Sequence, residues 1–309
     1  MSIDDVPFFS IVIPVYNEES NIEYLYDSIK RELTGLRYEL IYVDDGSSDN
    51  SSKLIKDIVV KDKEATAIIL SRNFGHQAAL KAGIDVTKGE FVITMDGDGQ
   101  NPPSLIHEMI ELYNQGYDII SARRKFEKNK HYLKRLSSKL FYFIFNKLSE
   151  IKIPKYSSDF RLMSRKSIDA YLELSENIRF NRGLSAWIGF NQTSIEFIPN
   201  KRHQGESKFS SKQLFSLGID AITSFSSMPL RLSFLFGLIV SFFGVVYGIY
   251  AIVMYFQDNV VKGWTSLIVL VLIIGGIQLI SIGLVGEYLA KIFYETKKRP
   301  IYIVKEIIK

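Results

Sequence analysis

A chain of 309 residues with 47% hydrophobic content can bury one or two cores, and the complete lack of cysteine excludes disulfides and thiolate metal sites. The net charge of +4 is modest and its lysines and arginines form no basic stripe interleaved with aromatics, which argues against nucleic acid and for an anionic lipid surface. The apolar residues are unevenly spread: Leu232–Gln257 and Gly263–Gly286 contain no charged residue. At about 1.5 Å per residue, each run outspans the roughly 30 Å hydrocarbon layer of a bilayer, predicting transmembrane helices over about 232–256 and 264–285.

From the N-terminus, MSIDDVPFFS lacks the apolar stretch of a signal peptide. FSIVIPV (Phe9 to Val15) reads as a buried strand. Glu19 to Leu33 has helical spacing, with Ile22, Leu25, Tyr26, Ile29 and Leu33 on one face. ELIYVDD ends a second strand at Asp44 and Asp45, and Ser48 is placed to cap the helix carrying Leu54, Ile55 and Ile58. TAIILS, a helix from about His76, EFVITMD, a helix over about 104–114 and the strand YDIISA continue the alternation. Such alternation predicts an α/β fold with a mostly parallel, doubly wound sheet. Ligands on these sheets sit beyond the carboxyl ends of the strands. Here those ends are Tyr16-Asn17-Glu18, Asp44-Asp45, Ser71-Arg72-Asn73, Asp96-Gly97-Asp98 and Arg123-Arg124, a polar and mostly charged set.

Beyond the strand ends, residues 128–148 read as a basic, aromatic helix, followed by SSDFRLMS, a helix to about Leu174 and the strand-like TSIEFIP. KRHQGESKFS is a basic loop. Residues 212–228 have the apolar face of a helix lying in the membrane interface, and DNVVKG joins the two spans. Lys201, Arg202, Lys208, Lys212 and Arg231 precede the first span, and Lys291, Lys297, Lys298 and Arg299 follow the second. That bias places both chain ends in the cytoplasm, at the plasma (inner) membrane. The boundaries are then a cytoplasmic domain over 1–209, an amphipathic helix over 210–229, a hairpin over 230–286 and a cytoplasmic tail over 287–309. Gly244 and Gly248, with Gly237 and Ser241, have the spacing that lets membrane helices approach closely, either within the hairpin or in a homo-oligomer.

The stretch DGDG carries the strongest chemical signal. Two carboxylates at a strand end would repel a nucleotide's diphosphate, unless a divalent cation lies between them. Hard oxygen ligands suit Mg²⁺ or Mn²⁺, which are held by one or two carboxylates plus substrate phosphates. Asp96 and Asp98 stand at i and i+2 of an extended segment and can address one ion, while Gly97 and Gly99 let the backbone approach a ligand. An acidic turn that merely opens the helix at Ser104 is the plainer alternative.

PVYNEE (Pro14 to Glu19), VDDGSSD, RNFGHQAAL, DGDGQNPP, SDFRL and RHQGESK (Arg202 to Lys208), in this order, resemble the inverting family 2 glycosyltransferases. The nearest branch transfers sugars to polyprenyl phosphates. The resemblance implies a GT-A-type, Rossmann-like sheet and a metal-dependent hexosyltransferase. It implies that Pro14, Tyr16, Glu18, Val43 and Asp45 line the nucleotide pocket, Asp45 facing the base. Asp96 and Asp98 would be the metal-binding Asp-x-Asp, Asp98 counting with Asp159 as catalytic, with Gly97 and Gln100 beside them and Arg123 facing the phosphates. Asp159 of SDFRL matches the proposed catalytic carboxylate. Arg202 and Lys208 would close over donor and lipid phosphate, and Arg135 and Ser138 would meet the lipid phosphate. The implied partners are a UDP-sugar, foremost UDP-glucose, a polyprenyl (undecaprenyl) phosphate and the membrane. GDP-mannose or a UDP-aminoarabinose-type donor remains compatible. A processive polysaccharide synthase would carry Gln-x-x-Arg-Trp, which this chain lacks. A transporter would need ionisable residues inside its spans, and a scaffold would have no use for the acidic turn.

Overall fold

A computed structural model describes residues 8–125, 157–177, 179–200, 223, 226–256 and 263–309. Its elements in chain order are β1 (Phe9–Val15), α1 (Glu19–Glu32), β2 (Tyr38–Asp44), α2 (Ser51–Lys61), β3 (Ala65–Leu70), α3 (His76–Ile84), β4 (Phe91–Thr94), α4 (Leu105–Asn114) and β5 (Ile119–Arg124). There follow β6 (Ser157–Ser164), α5 (Arg165–Leu172), α6 (Asn181–Trp187), β7 (Gln192–Phe197), α7 (Met228–Phe256), α8 (Trp264–Thr296) and β8 (Val304–Ile308). The predicted helix over 128–148, the KRHQGESKFS loop from Lys201 on, most of the predicted interfacial helix and DNVVKG lie outside the described residues.

Eight strands form one sheet in the order β7-β5-β6-β4-β1-β2-β3-β8. β1 runs parallel to β2 and β4, β2 to β3, and β5 to β7. Every residue of β1 is buried, as expected of a strand covered on both faces by helices. Phe9, Ile11, Ile13, Tyr42 and Phe91 pack on one face beneath α1, α2 and α4. The rings of Phe9 and Phe91 stack with centroids 4.9 Å apart. Val12, Val43, Ile68, Ala79 and Leu80 fill the other face under α3 and α5. A Cβ on Gly83 would come within 2.3 Å of Val12, so the glycine sets how closely α3 can lie on the sheet.

Two strands run against the rest. β6 is antiparallel to both β4 and β5, and β8 is antiparallel to β3. The first matters for the site: reversing β6 puts its amino end, not its carboxyl end, beside the carboxyl end of β4. The second gives the stretch expected as a cytoplasmic tail a partner. After α8 the chain returns to the sheet and completes its edge, with Lys56 and Glu306 ion-paired. Lys305 and Glu306, both exposed, are the charges expected of a managed edge strand. A smaller correction concerns Ser48. The helix starts after Asn50 with no side-chain cap, and the Ser48 hydroxyl instead donates to Asn17 Oδ1.

The hairpin helices α7 and α8 contain windows with mean hydropathy 2.2 (Met228–Tyr250) and 1.6 (Ile273–Thr296), long and apolar enough to cross a membrane. Their large side chains point outward, Phe234 at 69% and Ile280 at 74% exposure, which is the surface of a lipid-facing helix rather than of a core. α8 runs past the predicted span to Thr296, carrying the charged Glu287, Lys291 and Glu295 on its final turns. Ser233 Oγ donates to Ser281 Oγ across the pair at 2.7 Å. Side chains added at Gly237, Gly244 or Gly248 would meet nothing within 4 Å among the described residues.

Candidate active site

The carboxyl ends of β1, β2, β4 and β5 converge with the start of β6 and the first turns of α3 and α6. Thr94 of β4 pairs with Arg161 of β6. With β6 antiparallel, Asp159 therefore lies level with the residues that follow Thr94, and the carboxylates of two distant motifs face one another. His76, first residue of α3, bridges them: its Nε2 is 3.5 Å from Asp96 Oδ1 and 3.7 Å from Asp159 Oδ2. Arg124 Nη2 stands 3.5 Å from the other oxygen of Asp96.

Asp159 is 5% exposed and surrounded by donors. Arg182 Nη2 of α6 is 3.1 Å from its Oδ2, Arg161 Nη2 is 3.5 Å from its Oδ1, and Gln77 Nε2 lies 3.5 Å from Oδ2. Arg161 is buried and spends its remaining donors on Ser158 O, Asn181 O and the Ser185 hydroxyl. Gln77 also accepts from the Asn181 amide at 2.8 Å, joining α3 to α6 behind the carboxylate. Burial alone would raise the Asp159 pKa, but Arg182, the His76 hydrogen bond and Arg161 together hold it well below the ordinary carboxylate range. For His76, burial disfavours the cation, yet its hydrogen bond to Asp159 and the charges of Asp96 and Asp159 outweigh that, and its pKa is raised.

The Asp-x-Asp turn is shaped by its glycines. A Cβ on Gly97 would meet the Pro14 carbonyl at 2.8 Å, so here the glycine serves the approach of the turn to β1. Gly99 has φ +71°, a conformation glycine adopts without strain. Asp98 is 9% exposed and accepts from the Gln100 amide at 3.1 Å, while Gln100 O accepts from Asn200, past the end of β7.

At the end of β2 the acids are held by backbone. Asp45 accepts from the amides of Phe74 (2.7 Å) and Gly75 (2.9 Å), and Asp44 accepts from the Ser47 amide at 3.1 Å. Burial raises the Asp45 pKa against the lowering effect of those two amides. Asn17 sits at φ +52°, and its side chain accepts from the Ser48 amide at 2.7 Å, locking the β1–α1 loop to the β2–α2 loop. Glu18 accepts from Asn21 Nδ2 at 2.6 Å. Tyr16 is exposed at the mouth. Pro14 and Val43 are register partners on β1 and β2, and the Val43 side chain is fully buried in the core, leaving only its backbone towards the mouth.

Of the residues singled out in the sequence, the structure thus gathers Pro14, Tyr16, Glu18, Asp45, Asp96, Gly97, Asp98, Gln100 and Asp159 around one edge of the sheet. Arg123 and Arg124 are successive on β5 and point to opposite faces, and Arg124 is the one that reaches Asp96. Arg135, Ser138, Arg202 and Lys208 lie outside the described residues. Sequence reasoning gave no individual role to His76, Gln77, Arg124 and Arg182. His76 and Gln77 stand inside RNFGHQAAL, a motif noticed but given no role, whereas nothing local marks Arg182.

No group of three or more His, Cys, Asp or Glu residues close enough to hold a metal occurs among the described residues. Two hard carboxylates at one turn fit an ion that completes its shell with substrate phosphates and water, and do not fit an all-protein cage.

Comparison with known proteins places these features. Residues 10–172 match the model of glycosyl transferase family 2, and residues 228–292 match the GtrB C-terminal hairpin. An uncharacterized glycosyltransferase of Synechocystis, sll0501, is 42% identical over 96% of this chain and 95% of its own. The prophage bactoprenol glucosyl transferase homolog of Escherichia coli K12 is 37% identical over 97% and 99%. The bactoprenol glucosyl transferase of Shigella phage SfX is 38% identical over 96% and 98%. With the mostly parallel sheet, the acidic turn after β4 and the apolar hairpin already in place, the chain belongs to glycosyl transferase family 2 and is a glycosyltransferase of the kind that ends in a GtrB hairpin.

Proposed function

We propose that the protein transfers glucose from UDP-glucose to undecaprenyl phosphate, with inversion at the anomeric carbon, at the cytoplasmic face of the plasma membrane. The observation that carries the reading is the convergence of Asp96 and Asp159 on His76, which joins a diphosphate-type acidic turn to a second, cation-rich carboxylate. Relatives named as bactoprenol glucosyl transferases over nearly their full length support the acceptor and the sugar. The apolar hairpin supports it too, because the acceptor's tail stays in the bilayer and only its phosphate must reach the site.

In this reading the uridine lies among Tyr16, Glu18 and the Asp45 loop. Asp96 and Asp98 would hold Mg²⁺ or Mn²⁺, which supplies positive charge to the departing diphosphate. Arg124 adds a guanidinium on the same side. An oxygen of the lipid phosphate forms the new bond to the anomeric carbon while the bond to the UDP oxygen breaks on the opposite face, and the electron pair leaves with UDP. A phosphate monoester has its second pKa near 6, so the nucleophile is already mostly dianionic and needs no base. Asp159, held ionised by Arg182 and Arg161, orients those cations and His76 rather than removing a proton. Arg182, the more exposed of its two arginines, is the one placed to meet the acceptor's phosphate.

The test is to reconstitute the full chain in vesicles containing undecaprenyl phosphate and to offer radiolabelled UDP-glucose, GDP-mannose and other nucleotide sugars, with and without EDTA. Label should enter the lipid from UDP-glucose and vanish with the chelator. Lipid that stays unlabelled with every donor sinks the proposal, and labelling only from another donor corrects the sugar.

A further inference from the structure

Both helices that dress Asp159 are tied to the chain that leaves the membrane hairpin. Glu295, in the last turn of α8, accepts the Asn177 amide at 2.8 Å and the Asn177 side-chain amide at 3.0 Å. Asn177 lies in the short link between α5 and α6, and α6 begins four residues later with Asn181 and Arg182. Asn181 meets Gln77, and Arg182 meets Asp159. The chain then runs from Thr296 to β8. On the way Tyr302 donates to Asp85 at 2.7 Å, at the carboxyl end of α3, and Ile303 O accepts from Ser71 ahead of the loop that Asp45 holds. α3 in turn presents His76 and Gln77. The exit from the bilayer is therefore clamped at two points, one on each element flanking Asp159.

We infer that Glu295 is a positioning residue: its two-pronged clasp on Asn177 fixes the height and tilt of the active site over the membrane, so that the site meets a phosphate presented at the interface. The inference rests on the polyprenyl-phosphate reading above for its consequence, though not for its geometry. A bidentate carboxylate–amide pair resists rotation where a single bond would not. β8, stitched to β3, resists translation but lies on the far edge of the sheet from α6, so it cannot by itself hold that end down. A displacement of about 1 Å between reacting groups can cost up to about 100-fold in rate, which is the leverage such a clasp has.

The experiment uses the full chain in vesicles with Glu295→Ala, Asn177→Asp, which sets two carboxylates against each other, and the conservative Glu295→Gln. Because the protein has no cysteine, spin labels can be placed at Glu108→Cys on α4 and Leu289→Cys on α8, and the distance distribution between catalytic domain and hairpin read directly. Glu295→Ala and Asn177→Asp should broaden that distribution. They should lower turnover on bilayer-embedded undecaprenyl phosphate about tenfold, and leave turnover on a short, water-soluble prenyl phosphate within about twofold. Glu295→Gln, which keeps one oxygen for Asn177, should fall between. An unchanged distance distribution overturns the clasp, and so does an equal loss on both acceptors, which would mean that Glu295 only shapes the chemistry. If the unaltered protein glycosylates neither acceptor, it is the functional proposal that fails, and the spin-label distances alone decide the fate of the clasp.

Discussion

Two strand ends of the same sheet carry paired acids, and the structure treats them in opposite ways. At the end of β2, Asp44 and Asp45 are 1% and 2% exposed and answered by backbone amides of Ser47, Phe74 and Gly75. At the end of β4, Asp96 is answered by the side chains of His76 and Arg124 at 3.5 Å. Backbone amides are fixed by the fold and cannot leave. Side-chain cations at such distances can swing aside when a better-placed charge arrives. The first pair is therefore architecture, whereas Asp96, unlike its neighbour Asp98, which accepts the Gln100 amide, is met by side chains that a ligand's charge could displace. Sequence alone made the two look alike, since both are Asp pairs after an apolar run.

The sharpest way to break this comparison is to remove one charge from each end. Asp96→Asn should lower lipid glycosylation by about 10³-fold, the scale seen when one electrostatic stabiliser of a developing charge is lost. Its thermal stability should stay near that of the unaltered protein. A modest loss of rate accompanied by unfolding would mean that Asp96 is architecture after all.

Next in size is Asp159→Asn, with a loss of about 100-fold. Its pKa lies well below the usual range, so the group is ionised throughout the working range and has no protonation step to report. The loss should accordingly be the same from about pH 6 to about pH 9, and a loss confined to the acid side would restore Asp159 as a base. The stability side has a definite sign. A carboxylate whose folded pKa is depressed contributes stability that is complete above its unfolded pKa, near 3.9, and that fades as pH falls through the folded value. The stability gap between the protein and this variant should therefore close in acid, and it should also narrow as pH rises through the folded pKa of His76, which Asp159 helps to raise.

Asp45→Ala probes the other end. It strands the part-buried amides of Phe74 and Gly75, at a cost of about 2 kcal/mol in unfolding free energy. The loop it frees leads directly into His76, so donor affinity should weaken several-fold, while turnover at saturating donor changes less than in Asp96→Asn. Denaturant unfolding and a KM-against-kcat comparison separate the two effects. Equal damage to kcat at both ends would erase the distinction.

How far these differences could be read without coordinates depends on what each element advertises. β1 to β5 were legible because buried parallel strands are near-continuous apolar runs between turn residues. The direction of β6 was not, because a hydrophobic pattern has no sense along the sheet, and that direction is what delivers Asp159 to Asp96. β8 was missed for a different reason. VKEII is short, charged and follows a membrane helix, so it reads as a tail, and only a long-range partner in β3 makes it a strand. At the site, the carboxylates announced themselves by their position, but Arg182 did not, because it enters from a seven-residue helix that no periodicity marks. Arg124 was set apart from Arg123 only by the pleat of β5.

The smallest expected effect is at Ser47, between the two kinds of loop. Its hydroxyl accepts the Asn17 amide at 2.9 Å, and Asn17 holds the left-handed turn that lets β1 run into α1. Ser47→Ala removes that acceptor but leaves the Ser47 amide on Asp44 and the Asn17 side chain on Ser48. Other ties between the loops survive, among them Ser48 on the Asn17 side chain and the Glu18 amide on the Ser51 hydroxyl, and the orphaned amide is only part-buried and can recruit water. Unfolding free energy should drop by about 1 kcal/mol or less, with glycosylation per folded molecule unchanged. A tenfold fall in rate at constant stability would place the β2 end among the reacting groups, because an architectural tie this redundant has no other route to the chemistry.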